Sequence, residues 1–346
     1  MKKCFYIIVV GLFSTFISHS QSIDSLVAKG DDFRSNGFTE LAIKEYQKAL
    51  GINENSSIAG YNLAYTYLLS GRYDLTIKYC NRIIKGGSEK VLDAYVLKGS
   101  ALDYMGKHNK SIRMYRRAIK SYPSSYLLYY NLGICYHNKN NLDNAEFQYV
   151  KSIEVDKLQA SSYYMLGILL NEKGERAKSM LSLYFFLLLE PNTERSIEAI
   201  KLLISEWKQN VKIESSGNPS IQATQKIGKM NQSRNALDIE ISTIYARNFK
   251  LNQQKSTDCE LFILSTMSLF NYLIDFQHQD GSESWINQNL NFFRDIALAD
   301  QTEAFSYYIS FTCDDAAING WLETNRNKIE LFSKWMNERL MVLPKK

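Results

Sequence analysis

Five copies of one pattern, 34 or 35 residues apart, constrain this 346-residue chain more than any single residue does. Small residues at Gly30, Ala64, Gly99, Gly133 and Gly167 mark a first beat, and Tyr46, Cys80, Tyr115, Tyr149 and Leu183 mark a second. Phe33, Tyr67, Leu102, Tyr136 and Leu170 follow the first beat by three, and Gly37, Gly71, Gly106, Asn140 and Gly174 come four later. Ala42, Ser111, Ala145 and Ser179 precede the second beat, and Pro123 and Pro191 lie two periods apart. A unit of this length is a helix, a turn and a second helix. It is too short to bury its own apolar face and gains a core only by stacking on its neighbours.

The pattern of small residue, aromatic, turn glycine, alanine, second aromatic and closing proline resembles the tetratricopeptide repeat. On that resemblance the units run Ile23–Ser56, Ser57–Lys90, Leu92–Ser125, Tyr126–Gln159 and Ala160–Thr193, about half of the chain. Individual positions depart from the family: Lys29 and Lys98 stand where Leu63, Leu132 and Leu166 stand elsewhere, and Thr76 and Ile83 replace alanines. The second copy also carries an extra residue near Gly86-Gly87. The resemblance implies an all-α solenoid, a right-handed superhelix of antiparallel helix pairs whose first helices line a concave groove. Such solenoids hold peptides or proteins, and the fold itself performs no chemistry.

Residues 1–20 read as a leader. Lys2-Lys3 precede an apolar stretch of 13 residues from Phe5 to Ile17, and Ser18-His19-Ser20 offers small residues where a signal peptidase cuts. The stretch is short for a bilayer span, which needs about 20 apolar residues. Cys4 lies ahead of it, so it is not a lipid-bearing cysteine. The expectation is an exported, soluble protein of the periplasm or cell envelope. The net charge of +5 falls to about +3 without Lys2 and Lys3, well short of what nucleic-acid binding requires. The charge is uneven, however: the part after about Asn235 is near −5 and the repeats and linker are correspondingly basic.

Glu194 to Gln209 places Ile197, Ile200, Leu203, Ile204 and Trp207 on one face and reads as the helix capping the solenoid. Residues 210–234, rich in Ser, Gly, Asn and Gln, read as a linker. Residues 235–346 read as a helical C-terminal domain of no recognised family, with helices near Asn235–Lys250, Thr257–Gln277, Glu283–Leu298, Thr302–Thr312 and Ile318–Leu343. Trp321, Ile329, Phe332 and Trp335 form a core stripe on the last of these.

Catalytic patterns are missing from the sequence: it has no GxSxG, no HExxH and no P-loop, and no cysteine sits in a metal-ligand spacing. No cofactor and no metal is expected. Cys80 and Cys135 read as buried thiols, while Cys259 and Cys313 fall in one domain and could pair. His108 reads as an exposed turn residue, His278 as the end of a helix, and Asp314-Asp315 as a helix cap. Carried over from the family, the inner faces of the first helices present Asp24, Asp31 and Arg34 in the first unit, and Tyr61, Tyr65 and Leu68 in the second. They present Asp93, Ser100, Asp103 and Tyr104 in the third, Tyr130, Ile134, His137 and Asn138 in the fourth, and Tyr164, Ile168, Asn171 and Glu172 in the fifth. The groove candidates are Tyr61, Tyr65, Asp103, Tyr104, Tyr130, His137, Asn138, Tyr164 and Asn171. Of the family's clamp for a C-terminal carboxylate only Asn62 matches, with Val27, Asp31, Asp93 and Leu97 at its other positions. The expectation is therefore a non-catalytic scaffold or assembly factor holding a peptide or protein partner through tyrosines and polar groups. The alternative is an enzyme or small-ligand module in the C-terminal domain.

Overall fold

The computed structural model describes residues 23–222, 232–252, 256–276, 284–313 and 315–342. The expected leader and residues 223–231 of the expected linker lie outside the described residues, as do His278, Asp280-Gly281 and Asp314. The chain is helical almost throughout. It divides into two compact units, the first ending at Ala145 and the second beginning at Glu146.

The first unit holds α1 (residues 23–35), α2 (Thr39–Ile52), α3 (Ser57–Leu69), α4 (Tyr73–Gly86), α5 (Val91–Tyr104), α6 (His108–Ser121) and α7 (Tyr126–Asn138). The chain passes into the second unit within α8 (Leu142–Val155). Each hairpin closes at the residue expected: Gly37, Gly71, Gly106 and Asn140 have φ of 80°, 73°, 69° and 56°. The left-handed residue brings the next amide back to the carbonyl five residues earlier, as in Phe38 to Phe33 (2.8 Å), Arg72 to Tyr67 (2.8 Å) and Lys107 to Leu102 (2.9 Å).

The two beats of the period are one steric contact. A methyl group on Gly30 would lie 2.5 Å from the Tyr46 ring, and one on Gly99 would lie 2.0 Å from Tyr115. The glycine lets the second helix lay its aromatic against the backbone of the first. Where the first beat is Ala64, the second is the smaller Cys80, and both are fully buried. The close approach has a polar signature as well. Thr76 and Ser111 donate their hydroxyls to the carbonyls of Ala64 (3.2 Å) and Gly99 (2.8 Å), twelve residues back. Thr76 thus replaces an alanine without loss, because its hydroxyl has a partner. Ile83, the other residue in place of an alanine, is accommodated by Gly60, whose missing side chain would stand 3.6 Å from it. Cys80 and Cys135 are buried free thiols, and burial pushes both up to about 12.

The second unit continues from α8 with α9 (Ala160–Glu172), α10 (Arg176–Leu189) and α11 (Glu194–Lys208). Here too Gly174 turns with φ 71°, Gly167 admits Leu183, and Ser179 donates to the Gly167 carbonyl at 2.9 Å. The expected linker carries an antiparallel hairpin, β1 (Val211–Ile213) against β2 (Pro219–Ile221). Beyond it lie α12 (Gln232–Leu251), α13 (Asp258–Leu273), α14 (Ser284–Leu298), α15 (Thr302–Ile309), α16 (Ala316–Thr324) and α17 (Arg326–Val342). The single last helix expected over 318–343 is broken at Asn325, whose amide side chain turns back to the Trp321 carbonyl at 3.0 Å. Trp321 consequently leaves the expected stripe and stacks on Tyr307 at 3.8 Å, while Phe332 keeps its buried place on α17.

The core of this unit is α10. Twelve of its residues, Arg176 and the run from Lys178 to Leu188, are buried, and it packs against α9, α11, α12, α14 and α15. A helix apolar on all sides must be covered on all sides. Tyr184 sits among Phe262, Phe270, Phe293 and Phe305, and its hydroxyl accepts the Trp207 indole N–H at 3.0 Å and meets Thr266 at 2.9 Å.

Candidate functional site

In the first unit the inner faces of α1, α3 and α5 bring four groups into a row. The Tyr61 and Tyr65 rings, one turn apart on α3, lie parallel within 4° with centroids 6.4 Å apart. Arg34 of α1 sits 5.2 Å from the centre of Tyr65, and Lys90, just ahead of α5, sits 5.3 Å from the centre of Tyr61. A cation over a ring face is held by the ring's quadrupole and fixes the ring's tilt. Acidic neighbours hold the cations in turn: Asp31 pairs with Arg34 at 2.9 Å and Asp93 with Lys90 at 3.1 Å. Asp31 also accepts the Tyr46 hydroxyl (2.7 Å) and the Asn62 amide (3.1 Å). Burial, then the Asp93 charge, raises the Tyr61 phenol above its ordinary value, so it acts as a neutral donor and apolar plate. Both tyrosines are half-buried, which leaves part of each ring exposed. Sequence reasoning found Tyr61, Tyr65 and Arg34. It missed Lys90, because that residue precedes its helix and falls outside the helical register.

Other candidates are turned to internal use. Asp103 is buried and accepts from both Asn138 and His108, each at 2.6 Å. His108 is therefore not the exposed turn residue expected but the tie from α6 to that carboxylate. Tyr104 ends α5, is 66% exposed, and stacks on Tyr73 at 5.7 Å beside the hairpin turns. Tyr130, Ile134 and His137 are half-buried along α7.

The second unit repeats the arrangement. Tyr164 donates its hydroxyl to Glu198 of α11 at 2.6 Å and packs on Phe186 under Arg195. Burial and the Glu198 bond push its phenol up to about 12. Asn171 donates to Glu206 of α11, and this pair, like Asp103 with Asn138, joins residues 35 apart. These are equivalent rungs between successive first helices. They satisfy one another and hold the stack.

Glu206 belongs to a buried polar cluster that the sequence reading missed. Arg176 donates to the Ser242 hydroxyl at 2.7 Å, to the Asp238 carbonyl at 3.1 Å and to the carbonyls of Glu206 and Trp207. Burial raises the carboxyls of Glu206 and Asp238 and lowers Arg176 to about 10. Cys259 and Cys313 are unbridged thiols, so the pairing that the sequence left open is not formed. Asp315 caps α16 by accepting from Ala317 N–H at 2.9 Å. Among the described residues no cluster of His, Cys, Asp and Glu could hold a metal ion, and no helix is long and apolar enough to cross a membrane. A cavity of about 450 Å³ in the second unit is lined mainly by apolar groups, including Pro191, Tyr308, Phe311, Leu322 and Ile329.

The tetratricopeptide repeat profile matches residues 27–90 and 96–164. Tetratricopeptide repeat protein 8 of Caenorhabditis elegans is 24% identical over 164 residues, 47% of this chain and 32% of that protein. A TPR repeat-containing protein of Methanocaldococcus jannaschii is 27% identical over 113 residues, 33% of this chain and 20% of that protein. The chain thus spans a third or less of the length of these relatives. The solved structure of PilF from Pseudomonas aeruginosa is similar over 70% of this chain and 96% of its own, at 16% identity and a TM-score of 0.47.

Proposed function

This chain carries tetratricopeptide repeats over residues 27–164, and on that premise we propose that it is a non-catalytic interaction scaffold that holds a protein or peptide segment against the inner face of its first unit. The observation that carries the reading is the row Arg34, Tyr65, Tyr61, Lys90. Two half-buried aromatic plates with cations at either end combine apolar area, hydroxyls and charge at low entropic cost. A segment bearing aliphatic or aromatic side chains flanked by carboxylates complements that row. The Lys2-Lys3, Phe5–Ile17 and Ser18–Ser20 pattern supports export, and hence assembly work in a cell envelope.

The test is a photo-crosslinking residue at Tyr65 in envelope fractions, with identification of what is captured. Replacing Tyr65 by Ala should remove capture while leaving helical content unchanged. Undiminished capture by Tyr65→Ala would sink the reading. The apolar cavity of the second unit favours one alternative, a small-ligand module there. Its signature would be thermal stabilisation of the chain by a small apolar compound that Ile329→Trp abolishes.

A further inference from the structure

The outer faces of the second helices in the first unit carry cations at recurring positions. Lys44, Lys78 and Arg113 occupy one position on α2, α4 and α6. Lys48, Arg82 and Arg117 occupy the position one turn on, and Lys85 and Lys120 follow on α4 and α6; all eight are exposed. Helix α6 adds Lys110 and Arg116, also exposed. At 100° per residue, Lys110, Arg113, Arg116, Arg117 and Lys120 fall within an arc of about 120°, opposite the buried Ser111, Ile112, Tyr115 and Ala118.

Counter-charge thins out toward α6: exposed Glu40 and Asp74 stand one turn before Lys44 and Lys78 on α2 and α4, whereas α6 has no acidic residue. Lys48 is held by Glu45 (2.7 Å) and Arg82 by Glu54 (2.8 Å). The five cations of α6 have no ion pair among the described residues, and no Asp or Glu occurs between Asp103 and Asp143. A surface that only needs solubility intersperses both signs. Helix α6 instead concentrates a single sign, at positions where α2 and α4 also carry cations.

The form of the face narrows the partner. Helix α6 packs between α5 and α7 with its apolar stripe inward, so it lies flush with its neighbours. A helix that reads duplex DNA must enter a groove. Single strands are held on aromatic plates, and the outward arc of α6 has none. An extended acidic peptide needs walls to fix its register, which an outward helix face does not supply. A plane of mobile anionic headgroups asks for none of these, only cations spread over a surface. The apolar stretch Phe5–Ile17, whether leader or anchor, also brings the chain to a bilayer.

We propose that the outer face of α2, α4 and α6, centred on α6, docks peripherally on an anionic phospholipid surface through these lysines and arginines, without inserting into it. The proposal is independent of what the inner face holds. The full chain is tested by flotation with phosphatidylcholine vesicles and with vesicles containing about one third phosphatidylglycerol. The readout is the excess binding to the anionic vesicles, in which any contribution of residues 5–17 that ignores headgroup charge cancels. The excess should fall as salt is raised. Each cation near the surface contributes roughly five-fold, so R113E/R116E/R117E should lose at least about 100-fold with an unchanged unfolding midpoint. Should that variant unfold, the pair K110E/K120E carries the same expectation at roughly 25-fold. No excess on anionic vesicles, an excess that survives these reversals, or tighter binding to duplex DNA or polyglutamate at the same salt would each overturn the proposal.

Discussion

Gly99→Ala tests the contact on which the repeat period rests. The added methyl group would stand 2.0 Å from Tyr115 Cζ and 2.3 Å from its hydroxyl oxygen. Tyr115 is fully buried and donates to the Val96 carbonyl at 2.9 Å, so the ring cannot swing aside without losing that bond. Overpacking a close-packed interior costs about 1–3 kcal/mol, and the lost hydrogen bond about 0.5–1.5 kcal/mol more. The better helix propensity of alanine offsets about 0.5–1 kcal/mol. A net loss of about 1–3 kcal/mol should appear in urea unfolding followed by circular dichroism. Gly60→Ala is the control, because its methyl group meets only Ile83, at the ordinary contact distance of 3.6 Å. That change should be neutral or stabilise by about 0.5–1 kcal/mol. The chain itself supplies the compensating pair, Ala64 with Cys80. Gly99→Ala combined with Tyr115→Cys should therefore cost less than the two changes summed, by about 1 kcal/mol or more. If Gly99→Ala were no more destabilising than Gly60→Ala, the steric origin of the beat would be refuted.

Asn140→Gly should stabilise the first unit by about 0.5–1 kcal/mol in the same urea assay, because Asn140 holds φ 56° where the other turns have glycine. Glu206 and Asp238 have raised carboxyls, so the folded state binds their protons more tightly than the unfolded chain does, and the second unit should gain stability as pH falls from neutral toward about 5. Glu206→Gln should flatten that slope, and an unchanged stability–pH curve would remove Glu206 as its source. Ending the chain after Gln209 strips α12, α14 and α15 from α10 and uncovers Tyr184 and Phe185, at up to about 1.5–3 kcal/mol each. That fragment should aggregate in sedimentation analysis, and a monodisperse, folded fragment would contradict the packing of α10.

What was legible in the sequence is what the backbone demands locally. A hairpin turn needs a residue tolerant of positive φ, and a close helix pair needs a glycine facing an aromatic, so both recur at fixed intervals whatever the partners. The two replacements of alanine follow the same logic one step further out. Thr76 is tolerated because the Ala64 carbonyl lies within reach, and Ile83 because Gly60 faces it. The role of His108 was hidden because its partner, the Asp103 carboxylate, ends the preceding helix, and that carboxylate also accepts from Asn138 of α7. The environment of α10 was legible in principle, since Leu181 to Leu189 has no polar face to offer water. Its 34-residue beat matched that of its neighbours and concealed the difference. Helix α11, the expected end cap, packs on α10, and α9, α12, α14 and α15 cover its other sides.

The inner positions divide into two classes for an electrostatic reason. Asp103 with Asn138, and Asn171 with Glu206, place a carboxylate opposite an amide on successive first helices, so each buried acceptor receives a donor from a neighbouring repeat. Groups so engaged would have to give up an internal partner to bind anything else, which leaves a buried carboxylate unsatisfied at a cost of about 1–3 kcal/mol or more. Recognition through Asp103 or Asn171 would thus be opposed by the stack itself. Tyr61 and Tyr65 carry no such cost. The Tyr65 ring beside Arg34 and the Tyr61 ring beside Lys90 keep apolar surface available without breaking a hydrogen bond. On the proposed reading, selectivity on this face would rest on aromatic contact, because Arg34 and Lys90 are already paired with Asp31 and Asp93, while the rungs hold successive helices in register.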